Sequence, residues 1–149
     1  MFEVVWIILQ NKNRFLLAQR AVDDFAGGTW VFPGGKVDPE DKTSTDAARR
    51  ELKEEVGISG YRFKQLCELR ESQCHTRVYI CDKWTGEPKP ACKDIIGVGW
   101  FTLVEMYALG QSLAPFVGDS LMYLSYLLQH YNCHPDEWSG LWRDSDADV

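Results

Sequence analysis

The chain has 149 residues, of which 45% are hydrophobic and 13% aromatic, a composition that fills one core and excludes extensive disorder. Its formal net charge of −6 argues against duplex nucleic acid or an anionic membrane as a partner, because those surfaces need clustered Lys and Arg. The five cysteines are odd in number and include no Cys-x-x-Cys pair, so we expect reduced thiols and a cytoplasmic location rather than a disulfide framework.

The N-terminal part of the chain predicts β-structure. Residues 4–9 are apolar but too few to span a membrane, so they predict a buried strand. Residues 11–13 read Asn-Lys-Asn, which supplies turn chemistry. Residues 14–19 then predict the returning strand.

A glycine turn and a helix follow. Residues 32–38 read Phe-Pro-Gly-Gly-Lys-Val-Asp, which indicates a strand end that enters a glycine turn. A Thr or Ser within residues 43–45 can cap a helix that runs to about Val56. Gly57 is placed to end this helix as a C-terminal glycine.

The second half predicts three more strands and a helix. β-Branched and aromatic residues predict strands over 61–71, 75–84 and 97–103. Gly86 and the prolines that follow it end the second of these strands. Apolar residues from 116 to 131 follow helical spacing, so we expect a helix that lies on the sheet.

The C-terminal end offers three potential metal ligands. His130, Cys133 and His134 are close in sequence, but no fourth ligand is near, which favours an ordinary helix end over a zinc site. Residues 144–149 are acidic and predict a disordered tail. Because no repeat or interdomain linker is visible, residues 1–143 predict a single domain.

The predicted helix carries three carboxylates in close succession. At about 100° per helical residue, Glu51, Glu54 and Glu55 share one face. Two carboxylates about 4 Å apart repel by about 4 kcal/mol at an effective dielectric near 20, so such a face raises a pKa or requires a cation. Hard oxygen ligands suit Mg²⁺ or Mn²⁺, and Arg50 can hold one carboxylate. The alternative is a solvated acidic helix face.

Residues 35–58 resemble the Nudix box, whose pattern is Gly, five residues, Glu, seven residues, then Arg-Glu-apolar-x-Glu-Glu-x-Gly-apolar. The second half matches at every defined position from Arg50 to Ile58. The first half departs, because Asp41 stands in place of Glu and eight residues separate it from Arg50. The auxiliary loop acid is therefore Asp41 or Glu40. The resemblance implies an α/β fold, the Nudix α/β/α sandwich with a mixed β-sheet between helices.

Two further stretches resemble the MutT-type branch of this family. Arg20, within Gln-Arg-Ala at residues 19–21, stands before the Trp-Val-Phe-Pro-Gly-Gly-Lys stretch of residues 30–36 at the spacing of this branch. Residues 84–88 resemble its Trp-x-Gly-Glu-Pro turn. In this branch an acid six residues before a Trp completes the metal site, and here Asp94 stands six before Trp100. The alternative for Asp94 is a plain loop acid.

The resemblance also implies individual roles. Glu51 or Glu54 would serve as the general base, and Arg50 would orient them. The implied metal ligands are Gly34 through its carbonyl oxygen, Glu51, Glu54, Glu55 and Asp94. The residues implied to bind substrate are Arg20, Phe32, Gly35, Lys36 and Asp119. The alternative for Arg20 is an arginine on the surface of a strand. Phe32 is expected to pack in the core with its edge bordering the base pocket.

For this branch the implied reaction is Mg²⁺-dependent hydrolysis of a nucleoside triphosphate, 8-oxo-dGTP or a related nucleotide, to a monophosphate and pyrophosphate. The implied cofactor is Mg²⁺, with Mn²⁺ as an alternative. The implied partner is a small-molecule nucleotide, not a nucleic acid polymer or a membrane, and a homodimer is compatible with the sequence.

Two other activities compete with this interpretation. One is hydrolysis of a nucleoside diphosphate linked to another group, such as ADP-ribose, a nucleotide sugar or coenzyme A. The coenzyme A branch shares the spacing around Asp41, but Asp24 stands where its upstream Arg would be. The other is a non-catalytic nucleotide-binding Nudix module, which typically lacks box glutamates. The three glutamates of the second half of the box, Glu51, Glu54 and Glu55, are all present here.

Overall fold

The computed structural model describes residues 2–23 and 26–132, with the backbone alone for 131 and 132. The strands in these ranges are β1 Phe2–Ile8, β2 Gln10–Asn11, β3 Arg14–Arg20, β4 Trp30–Val31, β5 Gly34–Lys36, β6 Ser59–Arg70, β7 Cys74–Thr85 and β8 Ile95–Phe101. The helices are α1 Ser44–Val56, α2 Leu103–Ala108 and α3 Pro115–Asn132, with a 3₁₀ turn at Gly110–Ser112.

The strands form two four-stranded sheets. One has the order β5-β1-β7-β6 and is mixed, because β1 and β7 run parallel and its other pairs run antiparallel. The other places β2, β4 and β8 around β3, all antiparallel. The chain passes from the first sheet to the second at Leu9, whose carbonyl accepts a hydrogen bond from the Leu16 N–H (3.1 Å).

Two apolar clusters fill the space on either side of the sheets. Alternate residues of β1 enter different clusters, since Trp6 and Ile8 pack with α3 whereas Val5 and Ile7 pack with α1. The helices therefore cover opposite faces of the strands. The predicted α/β/α sandwich is confirmed, and its mixed sheet is one of two sheets that meet at the β1–β2 junction.

The predicted strands and the two longer helices are present, with ends that shift by at most two residues. The largest omission is α2. The strand predicted over residues 97–103 ends at Phe101, because Thr102 begins a helix through a capping box with Glu105. In that box the Glu105 N–H donates to Thr102 Oγ1 (3.1 Å), and the Thr102 N–H donates to Glu105 Oε1 (2.8 Å).

Several sequence predictions fall outside the described residues. They concern Asp24, Cys133, His134 and the tail 144–149. Among the described cysteines all four are free thiols, as expected: Cys67, Cys74, Cys81 and Cys92. No helix in the described ranges has the length and apolar character needed to cross a bilayer.

Candidate active site

The acidic helix α1 forms where the sequence predicts it. The Thr43 hydroxyl caps its start by accepting a hydrogen bond from the Asp46 N–H (3.1 Å). Gly57 ends it with φ of 75° and donates its N–H to the Lys53 carbonyl (3.1 Å). Ala48 and Leu52 are fully buried in the apolar cluster beneath the helix. The opposite side of α1 is thereby left to the glutamates.

The strand β5 brings two glycines against β1 and α1. A Cβ atom on Gly34 would lie 2.0 Å from the Val5 carbonyl oxygen. A Cβ atom on Gly35 would lie 2.7 Å from the Glu51 carboxyl carbon. Neither position has room for a side chain, so glycine allows the turn to contact both the sheet and the acidic face.

Glu55 is the most deeply placed of the three acids. Its Oε1 accepts a hydrogen bond from the Gly34 N–H (2.8 Å). Burial raises the pKa of Glu55 to about 7, against which the Gly34 hydrogen bond and the charge of Arg20 act to lower it. Burial also raises the pKa of Glu51, so a neighbouring cation would stabilise the charged form of both acids.

Arg50 connects this face to the preceding loop. Its Nε and Nη2 donate to the two carboxylate oxygens of Asp41 (3.1 and 2.9 Å), and Nη2 also donates to the Lys36 carbonyl (3.1 Å). Its Nη1 donates to Glu51 Oε1 (3.0 Å) and to Glu54 Oε2 (3.3 Å). Arg50 therefore contacts two of the box acids, and its contact to Glu51 is the shorter one.

Asp41 is the loop acid that contacts the box. Its side chain is only 7% exposed, and the hydrogen bond from Arg50 holds the pKa of its carboxyl below the ordinary value. Glu40 is exposed. The structure therefore assigns the arginine-binding position of the loop to Asp41, despite the extra residue that separates it from Arg50.

The donor set on this face suits a hard divalent cation. Glu51, Glu54, Glu55 and the Gly34 carbonyl supply oxygen atoms, the ligand type that Mg²⁺ prefers. Within the described residues, no three acidic, His or Cys side chains are already gathered closely enough to hold a metal ion. Glu54 instead contacts Arg50, and Glu55 contacts the Gly34 N–H. The residues suit a divalent cation because their donors are oxygen atoms and because burial raises the pKa values of Glu51 and Glu55, whose charged forms a cation would stabilise.

Asp94 lies in the loop before β8. The Ala21 N–H donates to its carbonyl oxygen (2.8 Å), which fixes the loop beside the end of β3. The carboxylate is exposed, and its charge raises the pKa of Glu55. Asp94 therefore stands on the side of the molecule that carries the box acids.

A cavity of about 370 Å³ opens beside the glycine turn. Of the residues predicted to bind substrate, Arg20, Phe32, Gly35 and Lys36 line it. Asp119 does not line it, but lies exposed on α3 next to Ser120, which does.

Sequence reasoning missed most of the cavity wall. The additional lining residues are Val4, Trp6, Val31, Leu69, Glu71, Cys74, Thr76, Phe116 and Ser120. Trp6 forms the aromatic centre, with its ring 5.9 Å from that of Phe32 and 6.2 Å from that of Phe116. Because side chains alternate along a strand, Val4 and Trp6 lie on the same face of β1, and this alternation could have predicted that they line one surface together.

A larger cavity, of about 580 Å³, lies at the other end of β7. Its lining includes Trp84 and Trp100, whose ring centres are 6.4 Å apart, and Asp82. None of the box acids lines it. None of the box acids lines the smaller cavity either, but its wall includes Gly34, which donates a hydrogen bond to Glu55, and Gly35, which lies against Glu51.

Comparison with known proteins agrees with this geometry. Residues 2–119 match the family model of the NUDIX domain. Among curated proteins, the CTP pyrophosphohydrolase of Escherichia coli K12 is 47% identical over 58 residues, which are 39% of this chain and 42% of that protein. The 8-oxo-dGTP diphosphatase of the same organism is 35% identical over 89 residues, which are 56% and 67% of the two chains. The first matched relatives are thus covered over 42% to 67% of their length.

Solved structures match over more of the chain. The MutT NUDIX hydrolase of Burkholderia pseudomallei superposes with a TM-score of 0.70 and 27% identity, covering 81% of this chain and 95% of that one. The E. coli ORF135 protein superposes with a TM-score of 0.69 and 29% identity, covering 85% and 90%. From the family match, the complete second half of the box and the observed sandwich, we conclude that the chain belongs to the Nudix family and is of the MutT type.

Proposed function

We propose that this protein is a Mg²⁺-dependent pyrophosphohydrolase that converts a nucleoside triphosphate, 8-oxo-dGTP or a related NTP or dNTP, into a monophosphate and pyrophosphate. The observation that carries the proposal is the position of the acidic face of α1. Gly34 and Gly35 connect that face directly to an aromatic cavity large enough for a nucleobase. A phosphoanhydride placed across the glycine turn would meet the acids at one end and the aromatic wall at the other.

Divalent cations are used throughout the Nudix family, and Mg²⁺ suits the oxygen donors of this site. We assign Glu51, Glu54, Glu55 and the Gly34 carbonyl as its ligands, with Asp94 as an additional one. When bound, the ion would neutralise phosphate charge and acidify the attacking water. Its charge would also keep Glu55 ionised at neutral pH, where burial otherwise favours the protonated form.

The remaining steps belong to the side chains. Glu51 or Glu54 accepts a proton from the water whose oxygen forms the new bond to phosphorus, while the bridging P–O bond between the α and β phosphates breaks. Arg50 holds both candidate bases through the same guanidinium nitrogen and limits their freedom. Lys36 and Arg20 line the cavity beside the turn and supply positive charge for the phosphates.

The base would lie against Trp6, Phe32 and Phe116, since aromatic walls stack on any base. The names of the matched relatives, CTP pyrophosphohydrolase and 8-oxo-dGTP diphosphatase, support a nucleoside triphosphate as the substrate. Asp119 lies next to the cavity-lining Ser120, and we keep it as a candidate contact to the base.

A panel of nucleotides assayed with Mg²⁺ tests this proposal. We expect pyrophosphate release from 8-oxo-dGTP, CTP or another triphosphate, and none when EDTA replaces Mg²⁺. If ADP-ribose, a nucleotide sugar or coenzyme A gave a kcat/KM at least about tenfold higher, the substrate class would be the linked diphosphates instead. No turnover of any compound in the panel would favour a non-catalytic module.

A further inference from the structure

The cavity runs across the whole first sheet. Lys36 lies opposite Val4, Val4 lies opposite Thr76, and Thr76 lies opposite Leu69, so one row of cavity-lining residues crosses all four strands. Neighbouring strands are about 4.8 Å apart, and the row therefore spans about 14 Å from β5 to β6. This length accommodates a nucleotide from its phosphates to the far edge of its base.

The charged residues of the cavity divide between its two ends. At the β5 end, Lys36 follows the glycine turn, and the charge of Arg20 lowers the pKa of Glu55. At the β6 end the charged lining residue is Glu71, just after the strand, whose N–H donates to the Cys74 carbonyl (2.8 Å). This charge distribution favours a nucleotide bound with its phosphates beside β5 and the edge of its base toward Glu71.

The Glu71 carboxylate is available to a ligand. Among the described residues it makes no side-chain hydrogen bond or ion pair. Glu68, which lies within β6, offers a contrast, since it contacts His75 (3.1 Å), Arg70 (3.1 Å) and Arg77 (3.3 Å), and it does not line the cavity. Glu68 is held by Arg70, Arg77 and His75, whereas Glu71 is exposed and lines the base end of the cavity.

We propose, on the basis of the function proposed above, that Glu71 selects nucleotides whose base carries an amino group at its Watson–Crick edge. An ionised carboxylate only accepts hydrogen bonds. The N4 amino group of cytosine and the N2 amino group of guanine are donors that it can bind. Uracil and thymine instead present the O4 oxygen at the position of the cytosine amino group, so its lone pairs oppose those of the carboxylate and N3–H is the remaining donor on this edge.

CTP and UTP test the inference because they differ only at this edge. We expect the wild-type kcat/KM with Mg²⁺ to favour CTP over UTP by about tenfold or more. Glu71→Gln keeps the shape but adds a donor, so it should bring the two values within about threefold. Glu71→Ala should lower the CTP value and raise the UTP value, because it removes both the acceptor for the amino group and the lone pairs that oppose the uracil O4 oxygen. Glu68→Gln is the matched control and should keep the wild-type ratio.

Calorimetric titration with CMP and UMP, without metal, separates this inference from the proposed activity. Preferential CMP binding that disappears in Glu71→Gln would support Glu71 even if no triphosphate were hydrolysed. Hydrolysis with a CTP/UTP ratio that Glu71→Gln leaves unchanged would overturn the role of Glu71 and leave the activity standing. Equal use of CTP and UTP by the wild type would also overturn it. If the protein showed no hydrolysis and no CMP binding, both proposals would be overturned.

Discussion

Gly34 and Gly35 contact different parts of the molecule. A side chain on Gly34 would meet the Val5 backbone, which belongs to a central strand and cannot move aside. A side chain on Gly35 would meet the end of the Glu51 side chain, which can rotate away. Substitutions at these two neighbouring positions should therefore separate the stability of the fold from the function of the acid.

We predict that Gly35→Ala displaces the Glu51 carboxylate and lowers kcat by about tenfold or more, with little change in Tm. Gly34→Ala should instead lower Tm strongly, because backbone rather than side chain must shift. Thermal unfolding and steady-state kinetics of both variants measure the two effects. Equal loss of Tm in the two variants would contradict this assignment of their contacts.

Glu55 should make the metal-free protein less stable as pH rises. Its pKa is raised from 4.5 to about 7, so the folded protein binds this proton more tightly than the unfolded chain. The resulting stabilisation is complete below about pH 4.5 and is lost as pH rises to about 7, by an amount up to about 3 kcal/mol. Glu51 is shifted in the same direction.

Replacing this acid with its neutral isostere should remove that dependence. In EDTA, Tm of Glu55→Gln should match the wild type near pH 5 and exceed it increasingly toward pH 8. Glu40→Gln, which changes an exposed loop acid, serves as the control. A difference in Tm that stays constant with pH would show that Glu55 is not buried in the way described.

The loop before β8 can contribute to the metal site through one carboxylate, that of Asp94. Its backbone is tied to β3 through the Ala21–Asp94 hydrogen bond, and the Asp94 carboxylate influences Glu55 electrostatically. If Asp94 ligates the metal, Asp94→Asn should raise the Mg²⁺ concentration for half-maximal rate and lower kcat. Measuring rate against Mg²⁺ concentration for the variant, with Glu87→Gln from the same connection as control, decides this. An unchanged Mg²⁺ requirement would leave Asp94 as a plain loop acid.

Local sequence signals were sufficient for some elements. The Thr43 cap, the apolar stripe through Leu52 and the final Gly57 all act within α1, so its bounds could be predicted. The helix α2 carried an equally local signal in Thr102 and Glu105, but the predicted strand extended into its first residue, Leu103. The division into two sheets could not be predicted, because it depends on β3 pairing with β8 rather than with β1.

At the scale of the whole molecule, the site joins residues that are distant in sequence. The box acids could be predicted because they share one helix face, and Lys36 and Phe32 because they flank the glycine turn. The cavity wall could not, since Trp6, Thr76 and Phe116 meet only through the parallel register of β1 with β7 and the packing of α3. Asp119 illustrates the limit, because one position along α3 separates it from the lining residue Ser120.

The central claim is that the acidic face of α1 performs Mg²⁺-dependent hydrolysis of a nucleotide bound in the adjoining cavity. The most direct measurement is pyrophosphate release from CTP and 8-oxo-dGTP by wild type, Glu51→Gln, Glu54→Gln and the control Glu40→Gln. We predict Mg²⁺-dependent release by the wild type and the control, and a kcat lower by about 10²-fold or more in each box variant with Tm maintained. Near-complete turnover by both box variants would contradict the account.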